Sequence, residues 1–285
     1  MVLITGAGGQ VGTTLLQALS AEGIRTRAWI HRAEQKETVI TAGASEVFVG
    51  DLTLTENAVQ AMSGVDTVYF ICNAANPQED TIGSNLIETA KKLGDITFIY
   101  HSVLHSLLSD MPHHDRKRKV EKTLVDSGIP YVILQPAVFM QMLAPSIQSI
   151  KKGGVFVQKF YTSSQTKMSF VDIKDYAEAA AKIVASGAFT YGTYELCSNG
   201  TYSLTDMENI LSELMERKVT SAYIPDEDFL ATSHLPADSY AGRTLLTMFR
   251  HYNENSFCGS SYTLTKILGR NPVTIRDYFV KVLSE

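Results

Sequence analysis

An α/β fold with a doubly wound parallel sheet is what this sequence predicts, from three features of its first half. Short apolar runs recur at residues 2–5, 25–30, 46–49, 67–72, 96–100 and 131–134. Helical patterns fill the intervals, beginning near Gln10, Ala33, Thr55, Thr81 and Arg116. A glycine-rich turn joins the first run to the first helix. Strands alternating with helices make βαβ units. Nearly every run is apolar on both faces, as a sheet covered by helices on both sides requires.

The first run leads into Gly6-Ala7-Gly8-Gly9-Gln10-Val11-Gly12, a Gly-x-x-Gly-x-x-Gly pattern on Gly6, Gly9 and Gly12. Gly6 suits the tight turn off the strand, Gly9 lets phosphate oxygens approach the backbone, and Gly12 lets the helix pack closely. The first-turn amides and the positive end of the helix dipole then face a pyrophosphate. A plain glycine-rich turn is the alternative. The placement between strand and helix favours a dinucleotide held by Gly6, Ala7, Gly9, Gln10, Val11 and Gly12, and with it a Rossmann-type sheet.

The second run ends in His31-Arg32-Ala33-Glu34-Gln35-Lys36. NAD binders usually place an acidic residue here for the ribose 2′-OH. A guanidinium at Arg32 suits a 2′-phosphate instead, and Lys36 supplies a second cation. The charge logic favours NADP(H) over NAD(H), against the alternative of a solvated basic turn. After the third run, Asp51-Leu52 fits an adenine contact, with the carboxylate accepting from the adenine amino group. A helix cap or turn role is the other reading of Asp51. After the fourth run, the turn Asn73-Ala74-Ala75-Asn76 is small and polar enough for a ribose contact along its backbone.

Beyond Pro136 the rhythm changes. Helices are expected at 139–151, 172–185, 204–217 and 274–283, with short strands at 168–171 and 193–196. The expected organisation is a dinucleotide-binding domain at 1–135 and a smaller, mostly helical substrate lobe at 136–285, with 193–196 returning to the sheet edge.

Composition narrows the function. Hydrophobic residues make up 45% of 285 positions, enough for a large core. A formal charge of −5 lacks the basic face that nucleic acid needs. Cys72, Cys197 and Cys258 match no zinc spacing, so reduced thiols in the cytoplasm are expected. No apolar run approaches a bilayer span, and Met1 leads straight into a strand pattern, leaving no room for a signal peptide.

Several stretches together resemble the atypical short-chain dehydrogenase/reductase superfamily, in its NmrA-like branch. They are residues 4–12, 49–52, 113–117 with Val120 and Glu121, 127–140, 169–175 and 268–272. The likeness spans almost the whole chain. The branch resembles quinone and triphenylmethane-dye reductases and includes regulators that bind NADP without turning it over. The resemblance implies cofactor contacts at the glycine turn, Arg32 and Asp51. It adds Ile71, Cys72, Asn73 and Ala74, then His101 and Ser102, then Pro136, Ala137, Val138 and Phe139. Such positions lie beyond the carboxyl ends of the strands, where open α/β sheets bind ligands.

Typical members of the superfamily use a Tyr-x-x-x-Lys pair. Here the stretch reads His113-His114-Asp115-Arg116-Lys117, with lysine kept and histidine in place of tyrosine. With Asp110 capping the helix and Pro112 in its first turn, His113, Lys117, Val120, Glu121 and Leu124 share one face. Lys117 is then expected to hold the nicotinamide ribose and orient a carbonyl, and His113 to transfer a proton near neutral pH. A polar helix end and a solvated basic run are the alternatives. Cations in a first helical turn oppose the dipole, which favours an anionic neighbour.

Other patterns are weaker. His101, His105, His113 and His114 have no supporting metal-ligand spacing, so no metal is expected. Ser102 lacks a nucleophile elbow. Phe139, Met140, Met142 and Leu143 suit either an apolar pocket or plain core. The reading is an NADP(H)-dependent oxidoreductase that reduces a quinone-like or other apolar aromatic acceptor by hydride transfer. The rival is a non-catalytic NADP(H) redox sensor acting through a protein partner. A sugar-nucleotide epimerase is a poorer third, because that chemistry relies on the missing tyrosine.

Overall fold

The computed structural model describes residues 1–73, 75–157, 165–222 and 224–285. In chain order the first half runs β1 (Val2–Ile4), α1 (Gln10–Ala21), β2 (Thr26–Ile30), α2 (Lys36–Thr41), β3 (Glu46–Val49) and α3 (Thr55–Met62). It continues with β4 (Thr67–Phe70), α4 (Glu79–Leu93), β5 (Thr97–His101), α5 (Pro112–Ser127) and β6 (Tyr131–Pro136). The second half holds β7 (Val138–Phe139), α6 (Ala144–Lys151), β8 (Phe156–Val157), β9 (Phe170–Val171), α7 (Ile173–Ser186) and β10 (Gly192–Leu196). Then come α8 (Leu204–Leu214), β11 (Ser221–Ala222), α9 (Asp226–Thr232), α10 (Tyr240–Asn255), α11 (Tyr262–Leu268) and α12 (Ile275–Ser284).

All six expected strands of the first half form, and the sheet order is β10-β6-β5-β4-β1-β2-β3. The pairs β1–β2, β2–β3, β1–β4, β4–β5 and β5–β6 run parallel. The fold is therefore the predicted doubly wound, Rossmann-type sheet. The order reverses beside β1, which places a crevice at the carboxyl ends of β1, β2 and β4. Strand alternation sorts the core. Leu3, Val68, Phe70, Phe98, Tyr100 and Ile133 join Ala61, Leu86, Val120 and Leu124 of α3, α4 and α5 in one buried cluster. Tyr69 and His101 point the other way, toward Tyr176 of α7.

The described chain divides into two compact units. Residues 1–136 and 173–195 form the first, and 137–172 and 196–285 the second. Residues 173–195, α7 and nearly all of β10, thus belong with the sheet, where β10 lies at the edge beside β6.

In the second unit the pairs β7–β9 and β8–β11 are short and parallel. Phe156 packs on Phe279, Tyr252 on Phe257 and Phe229 on Phe249. Three helices here, α9, α10 and α11, lie outside the expected set. Their patterns are broken by Gly242 and by β-branched and aromatic residues that favour helix weakly. Packing overrides that propensity: a Cβ on Gly242 would lie 2.6 Å from the Pro236 carbonyl, so α10 sits close against the preceding loop. Met140 and Leu143 are fully buried, whereas Met142 is exposed. The 139–143 stretch is therefore mainly core. No helix among the described residues is long and apolar enough to cross a membrane.

Candidate functional site

The crevice at the carboxyl ends of β1, β2 and β4 opens as a groove of about 640 Å³. It is lined by Gly6, Gly8, Gly9, Trp29, His31, Arg32, Gln35, Gly50, Asp51, Leu52, Thr53, Ile71, Cys72, Asn73, Asn76 and Ile82, among others. Gly6 has φ +60, and a Cβ there would lie 2.9 Å from the Ile71 carbonyl oxygen. A Cβ on Gly12 would lie 2.5 Å from Gly6 O and 2.6 Å from Ala7 Cα. The third glycine therefore seats α1 against the turn itself. Ala7 is buried beneath the turn, and Gln10 and Val11 begin α1. The α1 N-cap, Gly9, makes no side-chain cap bond, and the first turn carries no acidic residue. Its amide donors and dipole are left for an anion.

Arg32 follows β2 on the rim, exposed, with no ion pair among the described residues. Lys36 starts α2 and does not line the groove, so only the first of the two expected cations reaches it. Asp51 lines the groove and is also a turn residue. Its Oδ1 accepts from the Thr53 amide at 2.8 Å and the Thr53 hydroxyl at 2.7 Å. Those bonds, the backbone one foremost, hold its carboxyl below the ordinary value. Ile71, Cys72 and Asn73 line the far side, and Ala74 lies outside the described residues. Burial, then the Glu79 charge, pushes the Cys72 thiol up to about 12, so it stays protonated.

The remaining expected contacts lie elsewhere. The His101 ring hydrogen-bonds Tyr176 Oη, which bonds Tyr69 Oη at 2.8 Å. The Ser102 hydroxyl donates to Glu121, which also accepts from Ser106 at 2.6 Å and Gln135 at 2.9 Å. Both side chains are buried in internal networks, His101 at the last position of β5 and Ser102 just past it. Pro136 closes β6, and its carbonyl accepts from the Leu104 amide at 2.9 Å. Ala137 is buried, and Val138 and Phe139 form β7, paired with Phe170 and Val171. None of these six residues lines the groove.

The helix that carries His113 and Lys117 departs most from expectation. Its N-cap is Met111, not Asp110, with Pro112 in the first turn. Lys117 turns inward. Its ammonium donates to Glu79 Oε1 at 2.8 Å and the His101 carbonyl at 3.0 Å, and lies 5.2 Å over the Tyr100 ring. The Tyr100 hydroxyl donates to the same Glu79 oxygen at 2.8 Å. One residue along, Arg116 Nη1 donates to both carboxylate oxygens of Asp80, at 2.7 and 2.6 Å. Two adjacent acids at the start of α4 thus meet two adjacent cations of α5. Gly83 permits this approach, since a Cβ there would meet Val120 at 2.8 Å. Counted from the Met111 cap, Arg116 and Lys117 are the fifth and sixth residues of α5, past its first turn, and this acidic pair is their anionic neighbour. In the sequence, Glu79 and Asp80 look like an ordinary acidic helix start, which hides their role.

His113 is buried, with Nδ1 3.9 Å from Glu79 Oε2, and among the described residues neither atom has a hydrogen-bond partner. Burial foremost, then the charge of Lys117, holds its pKa well below the ordinary 6.5. The same two causes lower His101. That direction favours the neutral imidazole over the protonated one. Of the other histidines, His105 Nδ1 lies 3.8 Å from Glu195 and His114 Nδ1 bonds the His105 carbonyl at 2.9 Å. Three of the four thus turn to different groups, Tyr176, Glu195 and the His105 carbonyl, while the His113 and His114 rings meet edge to face with centroids 6.0 Å apart.

These buried histidines should make the protein sensitive to acid. Histidines whose folded pKa lies below the unfolded value leave the folded chain with fewer protons than the unfolded one. Stability should be flat above the unfolded pKa and fall as pH drops below about 6.5, by up to roughly 1.4 kcal/mol per pH unit for each histidine. Urea titrations from pH 8 to 5 should show this. A His101→Gln/His113→Gln variant with the same slope as the unmodified protein would refute the assignment.

Trp29 is fully buried beneath the groove and donates to the Gly50 carbonyl at 2.9 Å. A dinucleotide seated above it should change its fluorescence, directly or by energy transfer. An unchanged emission spectrum at saturating NADPH, with binding confirmed by calorimetry, would contradict that seat.

A family model described as "NmrA-like family" matches residues 1–278. Among curated proteins the chain is similar to Quinone oxidoreductase 2 of Escherichia coli (strain K12), 25% identical over 288 residues, covering 97% of this chain and 96% of that protein. Among solved structures it is similar to the Citrobacter sp. triphenylmethane reductase complexed with NADP(H), with TM-score 0.85, 22% identity and 99% of both chains covered. It is also similar to the Escherichia coli NADPH-dependent quinone oxidoreductase complexed with NADPH, with TM-score 0.83, 24% identity and 99% of both chains covered.

Proposed function

Because the chain belongs to the NmrA-like family, we propose that it is an NADP(H)-dependent reductase of quinone-like or other apolar aromatic acceptors. The observation that carries this reading is the groove, with a glycine turn at one wall and on its rim the Arg32 guanidinium, without an ion pair among the described residues. An acidic residue in that place would favour NAD. The groove fits the group: the turn and the first amides of α1 would hold the pyrophosphate, Arg32 the 2′-phosphate, and Asp51 the adenine amino group. Ile71, Cys72 and Asn73 would border a ribose. The bound dinucleotide supplies the hydride. The chain's own residues bind and orient it and support the crevice from below. Full-length similarity to a quinone oxidoreductase and to a triphenylmethane reductase supports the acceptor class.

In this reading Lys117 and His113 act beneath the site. Lys117 ties α5 to α4 through Glu79 and fixes the end of β5 through the His101 carbonyl. A quinone needs little acid catalysis, so a neutral histidine in place of tyrosine is compatible with turnover. The same feature favours the second reading, an NADP(H) sensor that works through a protein partner. The test is NADPH oxidation followed by absorbance with a panel of quinones, azo dyes and triphenylmethane dyes. Turnover with at least one acceptor, well above the rate without protein, is the expected result. Tight NADPH binding with no turnover across the panel would replace the reductase with the sensor.

A further inference from the structure

The pattern of spaced glycines leaves Gly8 unexplained, since it is none of the three positions the turn requires. The structure gives its reason. A Cβ on Gly8 would lie 2.4 Å from Gln35 Nε2 and 2.8 Å from Gln35 Cδ, so the Gln35 carboxamide lies directly over this glycine. Gln35 comes from the turn after β2, where its Oε1 accepts from the Arg32 amide at 3.2 Å and its own amide donates to the Arg32 carbonyl at 3.1 Å. That bond fixes the amide's orientation: oxygen toward Arg32, nitrogen toward the glycine turn. Gln35 Nε2 has no hydrogen-bond partner among the described residues, and Gln35 lines the groove.

We infer that Gln35 is a nucleotide-specificity residue, whose carboxamide bridges the glycine turn to the Arg32 turn and donates Nε2–H to the dinucleotide's 2′-phosphate. The inference rests on the dinucleotide reading above. Gln35 braces the backbone that carries the guanidinium and adds a neutral donor beside it. A phosphate can accept from both, whereas a ribose hydroxyl needs neither. Gly8 is the seat: any larger residue there displaces the carboxamide. Its backbone is not in the left-handed region, and its three nearest atoms all belong to Gln35. Alanine at 8 should therefore be tolerated once the glutamine is gone.

The test is calorimetric affinity for NADPH and NADH in the unmodified protein, Gln35→Glu, Gln35→Ala, Gly8→Ala and the Gly8→Ala/Gln35→Ala double variant. Gln35→Glu keeps the oxygen that braces Arg32 but turns the donor into a carboxylate. It should weaken NADPH by roughly tenfold to a hundredfold and leave NADH within about threefold. Gly8→Ala should reproduce the loss of Gln35→Ala, and the double variant should be no worse than either, because both remove one interaction. Equal losses for the two dinucleotides in Gln35→Glu, or additive losses in the double variant, would overturn the assignment while leaving the dinucleotide reading intact. An unmodified protein that binds neither dinucleotide would overturn both.

Discussion

Lys117→Ala should lower folding stability by about 3–5 kcal/mol, the effect of leaving a buried carboxylate without its partner. The lysine side chain is 4% exposed and Glu79 0%, so solvent screens little of this interaction. In thermal unfolding the loss should appear as a drop in Tm on the order of 10 °C. A Glu79→Gln/Lys117→Met double variant should recover much of it, because neither charge then stays buried and the Tyr100 hydroxyl keeps an acceptor. This outcome separates two roles for Lys117. A lysine that only reached a bound ribose would weaken NADPH binding and leave the apo protein's Tm unchanged. A Tm within about 2 °C of the unmodified protein would show that the Glu79 pair does not hold α4 to α5.

The second large effect is on nucleotide choice. Arg32 stands exposed on the groove rim without an ion pair among the described residues, so its guanidinium is available to a phosphate. NADPH should bind more tightly than NADH, by the roughly 1.5–3 kcal/mol of a charge-assisted pair, or about tenfold to a hundredfold. Arg32→Ala should remove most of that preference while leaving NADH affinity almost unchanged. Raised salt should narrow it as well, since the pair is solvent-exposed. Equal affinities of the unmodified protein for the two dinucleotides would refute the placement of the 2′-phosphate at Arg32.

Much of this protein is legible in its amino-acid sequence. Apolar runs of strand length with helical intervals announce the parallel sheet, because a strand covered on both faces has no polar side to show. The glycine turn announces the groove, because only glycine takes a φ of +60 at Gly6 without strain or leaves room between α1 and the turn at Gly12. Arg32 announces the nucleotide preference through its charge. These signals are local: each residue's role depends on neighbours within one βαβ unit.

Contacts between distant segments leave no such trace. The pairing of Glu79 with Lys117 joins residues 38 apart and exists only because α4 and α5 meet at Gly83 and Val120. That pairing turns Lys117 inward, and burial together with the Lys117 charge lowers the pKa of His113. His101 and Ser102 carry the right spacing for a ligand contact, but Tyr176 and Glu121 claim their side chains. The helices α9, α10 and α11 form through packing that their own propensities do not foretell. The sheet, the glycine turn and the sign of charge at the nucleotide end can be read from the residues in order, since those follow from backbone sterics and local patterning. Which polar side chains stay free for a ligand was decided by the tertiary structure alone, because a buried polar group must take whatever partner the packing brings to it.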